Sequence, residues 1–267
     1  MKIKSPWLIR PHTKVRLNHC ETRADGGSTA ENATAVLTGY RDKLASLQEV
    51  LYASQTNSVL IVLQGMDTAG KDGAISHIFS GINPQGCDVA AFKVPTSLEA
   101  HHDFLWRIHA QVPPRGMIGI FNRSHYEDVL PTVVHKLITK KVARQRIDEI
   151  NAFEQTLADN GTLILKFFLH ISRDEQRSRL ESRLADPKKH WKFQAGDLKE
   201  RQFWPQYQTA YEDILTHTSK KHAPWFVIPA DHKWYRNLAI SDVLVQALTA
   251  LKLTYPQPTV NPTTIKL

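Results

Sequence analysis

Seven residues, Gly65-Met66-Asp67-Thr68-Ala69-Gly70-Lys71, follow the pattern G-x-x-x-x-G-K, and Asp72 and Gly73 continue it. The apolar run Val59-Leu60-Ile61-Val62-Leu63 precedes the pattern and a helical spacing follows it. The loop is therefore expected where a strand hands over to a helix N-terminus. There, backbone N–H groups and the positive end of the helix dipole converge on an anion. Lys71 brings a point charge to the same oxygens. Gly65, Met66, Thr68, Ala69, Gly70, Lys71, Asp72 and Gly73 are read as a phosphate cradle; the bland alternative is a glycine-containing turn with no ligand. A Ser or Thr that holds Mg²⁺ usually follows the lysine, but this chain has Asp72. Asp67 is a second acid inside the loop. Both fit a Mg²⁺ ion bridging carboxylate and phosphate, since hard oxygen ligands suit it. Asp67 has a second reading, as a group that orients or deprotonates an attacking phosphate oxygen.

A second constellation, Asn122-Arg123-Ser124-His125-Tyr126-Glu127-Asp128, follows the strand candidate Met117 to Phe121. In an open parallel sheet, ligands bind beyond the carboxyl ends of the strands, so this loop should face the cradle. Arg123 is expected on the transferring phosphates, which its planar fork matches. Glu127 and Asp128 are acids for a metal or an acceptor nucleotide, while Asn122 stands where a metal-binding acid would be strict. His125 reads as a hydrogen-bonding partner rather than a phosphorylated nucleophile. Residues 172–192 carry Arg173, Arg177, Arg179, Arg183, Lys188, Lys189 and Lys192. Arg173 and Arg177 share one helical face, as do Arg179 and Arg183. They are read as a lid that brings arginines over phosphates and excludes water, against the bland reading of a solvated charged helix. Most of the aromatics Trp191, Phe193, Phe203, Trp204, Tyr207 and Tyr211 are assigned to core or lid packing, with stacking of one on a base as the alternative.

The elements that must hold these groups alternate. Helical spacing covers about 31–52, strands are expected at 59–64, 88–92, 117–121, 162–170 and 225–229, and helices at 73–82, 97–110, 140–158, 200–218 and 235–252. Ser172, with Glu175 three residues on, opens a further helix with a capping box. Strand and helix in alternation predict an α/β fold, a parallel five-stranded sheet covered by helices on both faces. Residues 1–30 are polar and irregular and are read as an arm over the surface. Residues 31–257 form the domain, with the lid at about 172–218, and 258–267 form a tail. The chain has 267 residues, 42% of them hydrophobic, enough for one sizeable core. It lacks an apolar stretch of bilayer length or of signal-peptide form, and Cys20 and Cys87 lack metal or redox spacing. Two thiols in a reducing cytoplasm, with no membrane partner, is the resulting expectation. A net charge of +8 attracts polyanions without saying which.

The stretches Gly65 to Gly73 and Phe121 to Leu130 resemble the polyphosphate kinase 2 family. So do Ile82-Asn83-Pro84-Gln85-Gly86, Lys166 to Ser172, Trp191-Lys192-Phe193 and Ala223 to Pro229, in order over about residues 40–257. The resemblance implies a P-loop kinase-like three-layer sandwich with a helical lid, and Mg²⁺ as cofactor. It implies reversible, direct phosphoryl exchange between inorganic polyphosphate and adenine nucleotides, with guanine left open, no nucleic-acid partner, and a dimer or tetramer. By motif position, Asp67 acts on metal and acceptor phosphate, and Lys71 and Arg123 hold the transferring phosphates. Arg179 and Arg183 match the family's lid arginines. Glu127, where many relatives that use only nucleoside diphosphates have Asn, implies acceptance of both mono- and diphosphates. Asn122 stands where many relatives have Asp, and Asp128 is taken as the substitute metal acid. Two other readings stand beside this one. An ATP-dependent small-molecule kinase on the same fold is disfavoured by Asp72 in place of a hydroxyl. A basic nucleic-acid-binding protein lacks helix-turn-helix, zinc and RNA-recognition signatures.

Overall fold

In the computed structural model, which describes residues 3–192 and 195–260, the apolar run before the cradle becomes the central strand. The elements in chain order are β1 (Leu8–Ile9), α1 (Ala30–Ser54), β2 (Ser58–Gly65), α2 (Lys71–Ile78), β3 (Cys87–Ala91), α3 (Ser97–Ala100), α4 (Trp106–His109), β4 (Ile118–Asn122), α5 (Leu130–Val134) and α6 (Lys140–Asp159). Then come β5 (Thr162–His170), α7 (Arg173–Ala185), α8 (Ala195–Gln202), α9 (Trp204–Thr218), β6 (Trp225–Pro229) and α10 (Lys233–Ala250). The strand order is β1-β6-β5-β2-β4-β3. All eight residues of β2 are buried, as a strand covered on both faces requires. Helices α1, α2 and α10 touch one another, and α6 packs on α9 and β5, giving helix layers around the sheet.

The five expected strands pair in parallel. The arm departs from expectation. Leu8 and Ile9 pair antiparallel with Phe226 and Trp225, adding a sixth strand at the edge. Val15 and Leu17 are buried in the core. The arm is thus part of the fold, because alternating apolar residues too few to show a period still complete an open sheet edge. The helix expected at 97–110 is two short pieces. Thr96 and Glu99 form a full capping box that starts the first. The Asp103 carboxylate accepts from the Leu105 N–H and turns the chain before the second. At α7, Ser172 caps as expected, accepting from the Glu175 N–H. The Glu175 carboxylate, however, turns to Arg179 at 2.7 Å rather than back to the cap. The tail expected at 258–267 lies mostly outside the described residues, as does Phe193. Among the described residues no helix is long and apolar enough to cross a membrane.

Candidate active site

Strand β2 ends at Gly65 and α2 begins at Lys71, so the intervening loop opens at the carboxyl edge of the sheet. Ala74 N–H is bonded to Gly70 O at 2.9 Å. The N–H groups of Gly70, Lys71, Asp72 and Gly73 have no protein acceptor among the described residues, which is the arrangement an anion needs. Gly70 has φ +97°, and a Cβ there would run into the Arg236 guanidinium. Only glycine satisfies both conditions. The Lys71 ammonium donates to Gly65 O at 2.8 Å from inside the loop. Burial, and next the neighbouring Arg123, push its pKa down to about 8, against the pull of Asp67, Glu127 and Asp72.

Strand β4 delivers the second half of the site. Asn122 Nδ2 donates to Asp72 Oδ1 at 2.7 Å, joining the exit of β4 to the start of α2. Arg123 follows with φ +65°, a left-handed conformation that is uncommon outside glycine. Its Nη2 donates to Asp67 Oδ1 at 2.9 Å, and its Nη1 lies 3.6 Å from Glu127 Oε2. Arg123 therefore stands between the two acids, one from each loop. Burial pushes the Glu127 carboxyl up, while Arg123 and Lys71 pull it back. Asp67, Lys71, Arg123 and Glu127 thus meet at one place, as the sequence reading expects.

The back of the exit loop is fixed by a buried polar network. His125 Nε2 lies 3.1 Å from Glu154 Oε1, and the Tyr126 hydroxyl donates to the same oxygen at 2.9 Å. Lys166, fully buried in the middle of β5, donates to Glu154 Oε2 at 2.5 Å, to Tyr126 Oη at 2.9 Å and to Thr218 O at 2.8 Å. His125 is fully buried in this network, matching its reading as a hydrogen-bonding partner. Because His125 and Tyr126 point inward, Arg123 and Glu127 face outward.

Three further expected residues are each placed by their own contacts or burial. Asp128 is mostly buried and accepts from Arg107 Nη2 at 2.9 Å, an ion pair like that of Asp67 with Arg123. Arg179 of the expected lid is 8% exposed and holds the cradle from behind. Its guanidinium donates to Thr68 O and Ala69 O, both at 3.0 Å, and to Ala230 O at 2.6 Å. Arg183, one turn further along α7, is half-buried. Four contributors were not anticipated. Arg236 on α10 reaches Ala69 O at 3.4 Å. Gln176 donates to Asp67 O at 3.0 Å while accepting from Arg201 of α8 at 2.7 Å. Glu154 and Lys166 form the buried pair. Arg236, Glu154 and Lys166 each interrupt an apolar run or stripe, and that interruption is the signal they left in the sequence.

A cavity of about 630 Å³ opens beside Asp67, Arg123 and Glu127. Lys93, Pro95, Phe104, Leu130 and Leu137 also line it, as do Tyr207 and Tyr211 of α9. Glu200 of α8 accepts from Tyr207 at 2.7 Å and lies 3.0 Å from His135 Nε2, bringing α8 to the rim. Among the described residues no three His, Cys, Asp or Glu side chains gather to hold a metal. The acids at the cradle suit an ion held by one or two carboxylates and completed by phosphate oxygens, the usual manner of Mg²⁺.

Comparison with known proteins agrees with this geometry. A family model described as Polyphosphate kinase 2 matches residues 28–256. The AMP/ADP-polyphosphate phosphotransferase of Meiothermus ruber is 53% identical over 233 residues, covering 87% of this chain and 86% of that protein. The ADP-polyphosphate phosphotransferase of Rhodopseudomonas palustris is 44% identical over 273 residues, covering 97% and 94%. The crystal structure of polyphosphate kinase 2 from Arthrobacter aurescens TC1 superposes with a TM-score of 0.94 at 41% identity, covering 97% of this chain and 94% of that one.

Proposed function

We propose that this chain, which belongs to the polyphosphate kinase 2 family, transfers phosphoryl groups between inorganic polyphosphate and both AMP and ADP. The observation that carries this reading is the placement of Arg123 between Asp67 of the cradle and Glu127 of the exit loop, at the mouth of a nucleotide-sized cavity. Polyphosphate lies in the cradle and the acceptor nucleotide in the cavity. A terminal phosphate oxygen of AMP or ADP attacks the end phosphorus of polyphosphate in line. The bond to the penultimate phosphate breaks, and polyphosphate leaves one unit shorter. Lys71 and Arg123 neutralise the charge that spreads over the equatorial oxygens, and the cradle N–H groups hold the rest. Bound Mg²⁺ would supply Lewis-acid neutralisation of the phosphates, and Asp67 and Asp72 are the carboxylates that would hold it. Glu127 is the acid that admits a monophosphate acceptor, and Arg183 contributes charge over the donor chain.

Incubation of the protein with Mg²⁺, long-chain polyphosphate and AMP, followed by chromatography, tests the reading. ADP and then ATP should appear. ATP from ADP with nothing from AMP would remove the monophosphate activity and Glu127's part in it. No product from either would overturn the proposal. The two free cysteines suit a reducing cytoplasm as the place of action. A dimer or tetramer is the expected assembly, read by light scattering on the purified chain.

A further inference from the structure

Arg236 is 2% exposed, and no carboxylate lies within 4.0 Å of it among the described residues. Its Nε and Nη2 share the amide oxygen of its neighbour Asn237, at 3.1 and 2.8 Å. Its Nη1 reaches Ala69 O at 3.4 Å, an oxygen that Arg179 Nη1 already contacts at 3.0 Å. Two guanidinium groups thus converge on one carbonyl, and Arg179 alone has an acid, Glu175 at 2.7 Å. Burial, with the charge of Arg179 second, pushes Arg236 down to about 10, and no acid opposes either effect. A buried cation without a counter-ion is costly, and chains keep one where it is compensated by something else. The carbonyl of Ala69 belongs to the same peptide as the N–H of Gly70, which has no protein acceptor among the described residues. A cation on the carbonyl end polarises that N–H toward the interior of the cradle.

We propose that Arg236 is a positioning residue of the phosphate cradle, whose uncompensated charge is neutralised by the polyanion itself. The proposal rests on the cradle being the polyphosphate site. It makes the free protein less stable than it would otherwise be and the donor-bound protein correspondingly more so, a trade between stability and function. Arg236 acts through the Ala69–Gly70 peptide and through its field, without touching the reacting atoms.

The test uses the full chain and inorganic tripolyphosphate, without nucleotide, measured by calorimetric titration and by thermal unfolding. Arg236→Met keeps the apolar stem and removes the charge. It should bind tripolyphosphate about tenfold more weakly at the effective dielectric of a protein site. Its melting temperature without ligand should equal or exceed that of the wild type. In turnover, KM for polyphosphate should rise while KM for AMP stays unchanged, and Arg236→Lys should recover most of the lost affinity. If Arg236→Met does not fold, Arg236→Gln and Arg236→Lys carry the same comparison. Wild-type affinity for tripolyphosphate in Arg236→Gln, with a lowered melting temperature, would make Arg236 a scaffold residue and overturn the proposal. Absence of tripolyphosphate binding by the wild type would overturn the reading of the cradle and this proposal with it.

Discussion

Replacing Glu154 by Gln should destabilise the protein by about 3–5 kcal/mol, because it strands a fully buried cation. Gln keeps the shape and an acceptor oxygen for His125 and Tyr126, so the change isolates the charge. Lys166 would retain the Tyr126 hydroxyl and Thr218 O but lose the carboxylate at 2.5 Å. Both Lys166 and Glu154 have no exposed side-chain surface, so water cannot take the partner's place. For a chain of this length, each kcal/mol corresponds to roughly 2–4 °C in melting temperature, so a fall of roughly 6–20 °C is expected. The double variant Glu154→Gln/Lys166→Met removes the stranded ammonium and should regain about half the loss or more. Equilibrium urea unfolding of the three proteins measures this, with equal m-values as the check that unfolding is the same process. The pH dependence gives a second reading. Burial works against the Glu154 charge, but Lys166 and His125 outweigh it and hold the carboxyl below its usual value. A depressed carboxylate contributes stability above its unfolded pKa of about 4.3 and loses it as pH falls through the folded value. The gap between wild type and Glu154→Gln should therefore close in acid, and it should also narrow as pH rises, because burial already holds Lys166 down to about 8 and the variant loses the carboxylate that raises it. A single variant within about 1 kcal/mol of wild type, or a double no more stable than the single, would refute the account of this network.

Four further outcomes concern the site. Lys71→Met should lower turnover by about 100- to 1,000-fold with the circular-dichroism spectrum unchanged, the range for losing one transition-state donor. In the wild type, kcat/KM for polyphosphate should decline above pH about 8, as the free enzyme loses the Lys71 charge, whereas Lys71→Met should show no such limb. For Glu127→Asn, AMP use should fall more than ADP use in parallel assays; equal losses would take Glu127 out of acceptor choice. Gly70→Ala, at φ +97° and against Arg236, should lower both the melting temperature and turnover, and an active, stable variant would disprove the cradle geometry.

Much of this was legible because the strongest signals were local. Five consecutive apolar residues before G-x-x-x-x-G-K placed β2, the cradle and α2 together, and Arg123 and Glu127 followed from the exit of β4. What the sequence concealed depended on distant partners. Asp128 reads as a free acid until Arg107, on a separate short helix, is found beside it. Arg179 looks like a lid arginine because its four-residue spacing to Arg183 suggests an exposed face, yet the cradle carbonyls occupy that face. Arg236 and Lys166 sat in view as single cations among apolar residues. A lone cation in such a run says that something unusual is buried, but the identity of its partner belongs to the tertiary fold. Strand β1 was hidden for a related reason: two residues carry no period, and only the exposed edge of β6 gives them a role.

That short strand also sets an order of events during synthesis. Leu8 and Ile9 pair with Phe226 and Trp225. Thr22 and Asp231 hold the same arm further along. Translation at about 5–20 residues per second leaves the arm waiting roughly 10–40 s for its partner to be made. Through that interval Leu8 and Ile9 lack the strand on which they dock. The parallel pairs of β2 with β4 and β5 can form earlier, since all three strands are already available before β6 exists. The arm is thus made well before its partner and can be seated only once β6 has been translated.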